Sequence, residues 1–177
     1  MSFSYFSVLL PYQRIYTLFH DLGKLCIACV IGVKAIVIEF VRGIGLEFGK
    51  GIVMKDGTDV TIIANGLCVA ESLAAAEMLA ADGISAKVIN MHTIKPLDTE
   101  LVIESAKATG KVVTVEEHSI IGGLGGAVCE CLAEANPVPV KRVGINDVYG
   151  ESGSAGQLIK KYGLDAEGIY KAVKSFM

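Results

Sequence analysis

An apolar run that ends in charged residues and passes into a glycine-rich turn constrains the fold of this chain most. Residues 112–115 are apolar or β-branched, Glu116, Glu117 and His118 follow, and glycine-rich residues 122–126 open a helical pattern. A strand, a tight turn and a helix in this order form the crossover unit of an α/β sheet. Polar groups at the carboxyl end of such a strand lie where ligands and partners bind. The run therefore predicts an α/β fold with a polar cluster at one sheet edge.

The same alternation of short apolar runs and helical patterns fills the rest of the chain from residue 49 onward. We predict strands at 52–55, 59–64, 86–91, 111–115 and 140–145, and helices at 68–81, 99–108, 124–135, 155–162 and 166–176. Helices between strands indicate parallel crossovers, whereas Asp56-Gly57 marks a tight turn that reverses the chain. The prediction is a three-layer α/β/α sandwich around a mostly parallel sheet of about five strands, of which one is antiparallel.

Composition excludes several classes of protein. The chain has 177 residues and a net charge of −3, which gives no basic face for nucleic acid. Cys26 and Cys29 form a lone CxxC pair without the two further ligands that a zinc site needs. No two histidines have metal-ligand spacing, so no metal site is predicted. Reduced, buried thiols are typical of a cytoplasmic protein.

Residues 1–48 differ in character from the rest, since they hold eight of the twelve Phe and Tyr residues. Residues 25–41 are strongly apolar, but Lys34 and Glu39 interrupt them. A membrane span needs about twenty apolar residues without such charges, and a signal peptide needs a basic start that is missing here. We therefore expect no membrane insertion, and we expect this segment to pack on the rest of the chain or on a second subunit.

Five motifs carry a resemblance to a known family. They are Gly49-Lys50-Gly51, the apolar run 59–64, Lys95-Pro96-Leu97-Asp98, residues 114–118 with the glycines of 122–125, and Gly150-Glu151-Ser152-Gly153. In order and spacing, residues 49–177 resemble the C-terminal domain of the transketolase family. The Glu-Glu-His form is most similar to transketolases that are split into two polypeptides. Residues 1–48 match poorly, although 35–43 could be a remnant of the preceding pyrimidine-binding domain.

The resemblance implies part of an enzyme. The family transfers a two-carbon ketol unit between sugar phosphates, a reaction of carbohydrate metabolism in the pentose phosphate pathway. Its thiamine diphosphate and Mg²⁺ lie between the two other domains, which contribute a Gly-Asp-Gly motif with a downstream Asn and a Glu for the aminopyrimidine ring. Neither is recognisable here, since Lys55-Asp56-Gly57 is not Gly-Asp-Gly.

The resemblance therefore implies that no catalytic, cofactor-binding or metal-binding residue lies in this chain. We expect it to be inactive alone, and to act in assembly and dimer scaffolding with a complementary section that binds thiamine diphosphate and Mg²⁺. A homo- or hetero-oligomer is expected. Three alternatives stay open: a docking domain of a related thiamine-dependent 2-oxo acid dehydrogenase, a fragment of a deoxyxylulose phosphate synthase, and a truncated gene product.

The candidate interface or anion site has eight residues: Glu116, Glu117, His118, Gly122, Gly123, Gly125, Glu151 and Ser152. The three polar residues at 116–118 could transfer protons or bind a substrate phosphate, but we favour a network that caps the next helix or joins a subunit interface. Backbone N–H groups at the glycines could hold an anion, although tight turning explains the glycines more simply. We expect Ser152 or Ser154 to cap a helix, and Glu151 to face a partner.

Overall fold

The computed structural model describes residues 46–177. The predictions for residues 1–45, among them the remnant at 35–43, lie outside the described residues. Five strands and five helices follow one another in the described part. They are β1 (Ile52–Lys55), β2 (Val60–Ala64), α1 (Cys68–Ala81), β3 (Ala86–Asn90), α2 (Thr99–Thr109), β4 (Val112–Ser119), α3 (Leu124–Ala135), β5 (Val140–Ile145), α4 (Ala155–Lys161) and α5 (Ala166–Phe176).

The strands form one sheet in the order β1-β3-β2-β4-β5. Strands β2, β3, β4 and β5 are parallel, and β1 runs antiparallel to β3. The turn after β1 crosses the start of β3, because a Cβ on Gly57 would lie 2.2 Å from the carbonyl carbon of Ala86. The predicted antiparallel strand is confirmed, and its partner is β3, which lies between β1 and β2.

Alternating side chains of the strands fill two apolar cores, one on each face of the sheet. Val60, Ile62 and Ala64 of β2 pack against α1 and α5. Ile63, between them in sequence, packs against α2 and α3. Residues that alternate along a strand point to opposite faces, so both faces of β2 are covered by helices. The predicted three-layer α/β/α sandwich is confirmed.

The segment before β1 is hydrogen-bonded to the loop after β3. Gly49 N–H donates to Thr93 Oγ1 at 3.1 Å, and Gly51 N–H donates to Asp98 Oδ2 at 3.0 Å. The other oxygen of Asp98 accepts from Leu101 N–H at 3.2 Å and so caps α2. One buried carboxylate therefore holds both the start of a helix and the segment that leads into the sheet.

Replacing Asp98 with Ala is expected to lower the free energy of unfolding by about 2–3 kcal/mol, because two backbone N–H groups lose their acceptor. The matched control is Asp165→Ala. Asp165 caps α5 through one bond, to Gly168 N–H at 2.9 Å, so its loss should cost about 1 kcal/mol. Urea unfolding of the full chain measures both. Equal losses for the two variants would show that the bond to Gly51 contributes nothing.

Candidate functional site

Strand β4 extends further than the sequence predicts. The predicted strand ends at Val115, whereas β4 continues to Ser119 with a register irregularity between these two residues. The interpretation that the polar residues follow the strand is therefore wrong, because Glu116, Glu117 and His118 lie within the C-terminal half of β4. The irregularity resembles a β-bulge, which redirects side chains near a strand end. It lets Glu116 stay buried while the next two residues are exposed.

Glu116 is 1% exposed and binds the start of α3. Its Oε2 accepts from Leu124 N–H at 2.7 Å, and its Oε1 accepts from Gly125 N–H at 2.8 Å. The first N–H groups of a helix have no partner within the helix, and the helix dipole favours a negative charge there. The carboxylate of Glu116 thus occupies the position at this helix start where an external anion would bind.

The glycine turn is shaped around that carboxylate. A Cβ on Gly123 would lie 1.9 Å from Glu116 Oε2, a separation that no side chain could accept without displacing the carboxylate. Gly122 has a φ of +75°, in the region that glycine adopts readily. These two glycines therefore permit the close approach of the turn to Glu116.

Glu117 and His118 do not join Glu116. Both side chains are exposed at the carboxyl edge of the sheet. Nδ1 of His118 lies 3.2 Å from the carbonyl oxygen of Ser119, the next residue. The three polar residues predicted as one cluster thus divide into one buried helix cap and two exposed groups, and an interface role for the exposed pair stays a prediction.

The motif at 150–153 lies apart from any strand, in an exposed loop before α4. Glu151 forms an ion pair with Lys161. Ser154, rather than Ser152, begins the helix: its backbone N–H donates to Gln157 Oε1 at 3.3 Å, and its Oγ lies 2.8 Å from the same oxygen. The side chain of Gln157 thus reaches back to the residue before the helix, as in a capping box. Ser152 is exposed, so its place in an interface also stays a prediction.

Three exposed apolar side chains, which follow the ends of β4 and β5, were missed by the sequence reasoning. Ile121 is 59% exposed, Val148 is 56% exposed and Tyr149 is 99% exposed. We call these three residues the edge patch. The sequence held one signal for such a surface: Val148 and Tyr149 are adjacent apolar residues outside every predicted helix and strand. Exposed apolar residues of this kind can mark an interaction surface.

The described residues contain no group of three or more His, Cys, Asp and Glu side chains that could hold a metal ion. Between residues 46 and 177, no helix is long and apolar enough to cross a membrane.

The family model of the transketolase C-terminal domain matches residues 49–169. The chain belongs to the transketolase C-terminal domain family. The 6-deoxy-6-sulfo-D-fructose transketolase subunit SqwH of Clostridium sp. (strain MSTE9) is 53% identical over 124 residues, which are 70% of this chain and 38% of that protein. The 1-deoxy-D-xylulose-5-phosphate synthase of Syntrophotalea carbinolica is 44% identical over 146 residues, 81% of this chain and 23% of the synthase.

A solved structure described as a split gene transketolase, inactive beta4 tetramer, has the same fold with a TM-score of 0.71. It is 54% identical, and the match covers 73% of this chain and 43% of that one. This transketolase C-terminal domain therefore spans about two fifths of the length of the transketolase relatives that it matches. The glycine turn, Glu116 and the edge patch all lie within the matched residues 49–169.

Cys68 lies buried at the start of α1, near the carboxyl edge of the sheet. Burial raises the pKa of its thiol to about 12, and the carboxylates of Glu117 and Glu71 add to the effect. Because the thiolate is the reactive form, we expect iodoacetamide at pH 8 to modify Cys68 at least ~100-fold more slowly in the folded chain than in urea.

Peptide mass spectrometry over time measures the alkylation of each cysteine separately. Cys129 and Cys131 are the internal controls, because both are only half-buried and should react sooner. Modification of Cys68 at the same rate as these two would contradict the buried, protonated thiol.

Proposed function

We propose that this chain is the C-terminal section of a split transketolase, which supplies structure to an assembled transferase rather than catalytic groups. The identity of 53–54% to a transketolase subunit and to a split gene transketolase carries the proposal. Both relatives are more than twice as long as the matched region, so the thiamine chemistry is assigned to a complementary section. Bound there with Mg²⁺, thiamine diphosphate supplies the carbanion chemistry of ketol transfer.

The start of α3 does not fit the diphosphate of that cofactor. The N–H groups at the start of α3 would be the natural site for a diphosphate, but Leu124 and Gly125 already donate to Glu116. We assign to the domain the role of holding the assembled enzyme in shape. Its two sheet faces, each covered by helices, suit it to that role.

The assembly is proposed to be an oligomer of this chain with its complementary section. The solved relative described as an inactive beta4 tetramer supports two parts of this proposal. That relative is described as a tetramer and as inactive, and we propose self-association and inactivity alone for this chain too. Membership of the pentose phosphate pathway and a cytoplasmic location belong to the same proposal.

Restoration of ketol transfer by mixing the two sections tests the proposed function. The full chain alone should transfer no ketol unit between sugar phosphates. Mixed with a transketolase polypeptide that carries both thiamine-binding domains and ends before the C-terminal domain, it should raise the rate well above that of the polypeptide alone. No gain at saturating concentrations of both components would contradict the proposal.

A second candidate is the corresponding part of a 1-deoxy-D-xylulose-5-phosphate synthase, because the synthase of Syntrophotalea carbinolica is 44% identical over 146 residues. The two candidates differ in the polypeptide that the chain completes. If the chain restores formation of 1-deoxy-D-xylulose 5-phosphate to a synthase that lacks its own last domain, and restores no ketol transfer to a transketolase, the second candidate is correct.

A further inference from the structure

Strand β1 lies at the outer edge of the sheet and exposes two apolar side chains. Among the described residues its one strand neighbour is β3. Val53 is 39% exposed and Met54 is 46% exposed. A strand at a sheet edge presents a row of unpaired backbone N–H and C=O groups, which another strand can bind. The free edge of β1 is therefore a candidate surface for strand pairing.

The hydrogen bonds of the neighbouring strands show which residue of β1 presents its backbone outward. Met91 N–H, just after β3, donates to the carbonyl oxygen of Ala64 at 2.8 Å, so the backbone of Met91 faces β2. Backbone groups alternate in direction along a strand, so Asn90 faces β1, where it pairs with Ile52. In an antiparallel pair, hydrogen-bonded residues alternate with residues that face away. Val53 follows Ile52, and its N–H and C=O therefore point to the free edge.

Charge does not protect this edge from pairing. Many edge strands carry charged side chains, often Lys, that discourage a second strand. In β1 the one charged residue is Lys55, and its Nζ lies 2.6 Å from Glu77 Oε1 of α1. Val53 pairs with Ile89 and shares its face of the sheet, whereas Lys55 pairs with Val88 and lies on the other face. A strand that approaches Val53 therefore meets an apolar side chain, and the charge of Lys55 is already neutralised.

We propose that β1 pairs antiparallel with β1 of a second copy of this chain, about a two-fold axis beside Val53. The inference rests on the self-association proposed above, and it names the surface. Val53 N–H of each copy donates to the Val53 carbonyl oxygen of the other, so one residue supplies both hydrogen bonds. Gly51 N–H is already bonded to Asp98, and the register irregularity after Val53 ends the regular edge. The pairing is therefore short, and the dimer is reversible.

The order of charges around β1 favours a second copy as the occupant. With Val53 opposite Val53, Lys55 lies opposite Gly51 of the other copy, and Lys50 approaches Asp56 of that copy. The side chain of Asp56 is exposed, and that of Lys50 is half-exposed. Opposite charges across a strand pair are favourable, and like charges directly opposite are not. These contacts form twice, because a two-fold contact is self-complementary.

Sedimentation velocity of the full chain over a range of concentrations gives the dissociation constant of self-association. Val53→Lys should raise that constant at least ~30-fold, because the two introduced ammonium groups meet at the axis. The matched control is Val148→Lys, the same change at a residue that is 56% exposed in the loop after β5. Strand β5 is the opposite edge of the sheet, so the control should stay within about twofold of the unsubstituted chain.

A mixture of two variants tests the two-fold axis itself. Val53→Lys and Val53→Glu each place like charges at the axis when they pair with their own kind. In the mixed dimer Lys faces Glu, and opposite charges directly across a strand pair are favourable. The mixture should therefore associate at least ~10-fold more tightly than either variant alone. Equal association of the mixture and of the single variants would contradict an axis beside Val53.

Val53→Pro tests the direction in which the backbone N–H points. Proline has no N–H, and it is tolerated in an edge strand where that group faces outward. The variant should keep its circular dichroism spectrum and raise the dissociation constant at least ~10-fold. Ile52→Pro, one residue earlier, should instead lower the melting temperature, because it removes a hydrogen bond to β3. Loss of the fold in Val53→Pro alone would contradict the outward direction.

The remaining outcomes separate the pairing of β1 from the proposed function, because restoration of ketol transfer is measured on the same variants. If the chain self-associates and Val53→Lys does so equally well, or if the chain stays a monomer at every concentration, the pairing is overturned and the function stands. If Val53→Lys self-associates normally but no longer restores ketol transfer, β1 binds the complementary section instead. If Val53→Lys loses self-association and even the unsubstituted chain restores no ketol transfer, the proposed function alone is contradicted.

Discussion

Gly123→Ala is expected to lower the free energy of unfolding by about 3 kcal/mol, or the melting temperature by roughly 10 °C. The added Cβ would lie 1.9 Å from Glu116 Oε2. The carboxylate must therefore move, and the N–H groups of Leu124 and Gly125 lose the acceptor that they have in the folded chain. Leaving buried donors without partners is among the costlier effects of a single substitution.

Gly126→Ala is the matched control, three positions along the same turn and helix. A Cβ on Gly126 meets no atom within 4 Å, and Gly126 lies inside α3, where Ala is favoured over Gly by about 1 kcal/mol. The same chemical change should thus stabilise the chain at 126 and destabilise it at 123. Thermal unfolding followed by circular dichroism measures both, and equal melting temperatures would contradict the geometry of the turn.

A double-mutant cycle separates the contact between Gly123 and Glu116 from other effects of the Gly123→Ala substitution. Glu116→Gln keeps the size of the side chain but offers one oxygen and one NH₂ to two N–H donors, so we expect a loss of about 2 kcal/mol. The cycle itself combines the single variants Glu116→Ala and Gly123→Ala, and in the double variant the clash is absent. Its loss should therefore be smaller than the sum of the two single losses. Additive losses would mean that Gly123 and Glu116 do not interact.

Local patterns were sufficient to predict most of the fold. Alternating apolar residues mark the strands, and Asp98, Asp165 and Gly110 mark helix ends by the chemistry that favours them there. All five strands and five helices are present, and apart from the end of β4 they lie close to their predicted bounds. The partner of β1 was not predictable from the turn at Asp56-Gly57, because a turn fixes the direction of the chain and not its neighbour.

The site was harder to predict, because its geometry depends on contacts between distant elements. Glu116 has the pattern of an exposed residue, and only the N–H groups eight and nine positions later make its burial favourable. The bulged end of β4 then turns Glu117 and His118 toward solvent. Ile121, Val148 and Tyr149 escaped notice because they lie in loops, where the pattern of the sequence does not show which apolar residues stay exposed.

Isolated from its partner, the chain is expected to bind no thiamine diphosphate. The N–H groups at the start of α3, which could hold a diphosphate, are bonded to a carboxylate that belongs to the fold. The transketolase relatives are more than twice as long as the region that they share with this chain, and the proposed function places the cofactor outside that region. Adding the complementary section should have a large effect, because binding of thiamine diphosphate and ketol transfer both depend on that section.

Calorimetric titration of thiamine diphosphate, with Mg²⁺ present, into the purified full chain tests this account most directly. The account predicts no heat of binding and no rise in melting temperature for the chain alone. It predicts ketol transfer only after the polypeptide with both thiamine-binding domains is added. Saturable, tight binding of the cofactor by the chain alone would contradict the claim that the catalytic groups lie on another section.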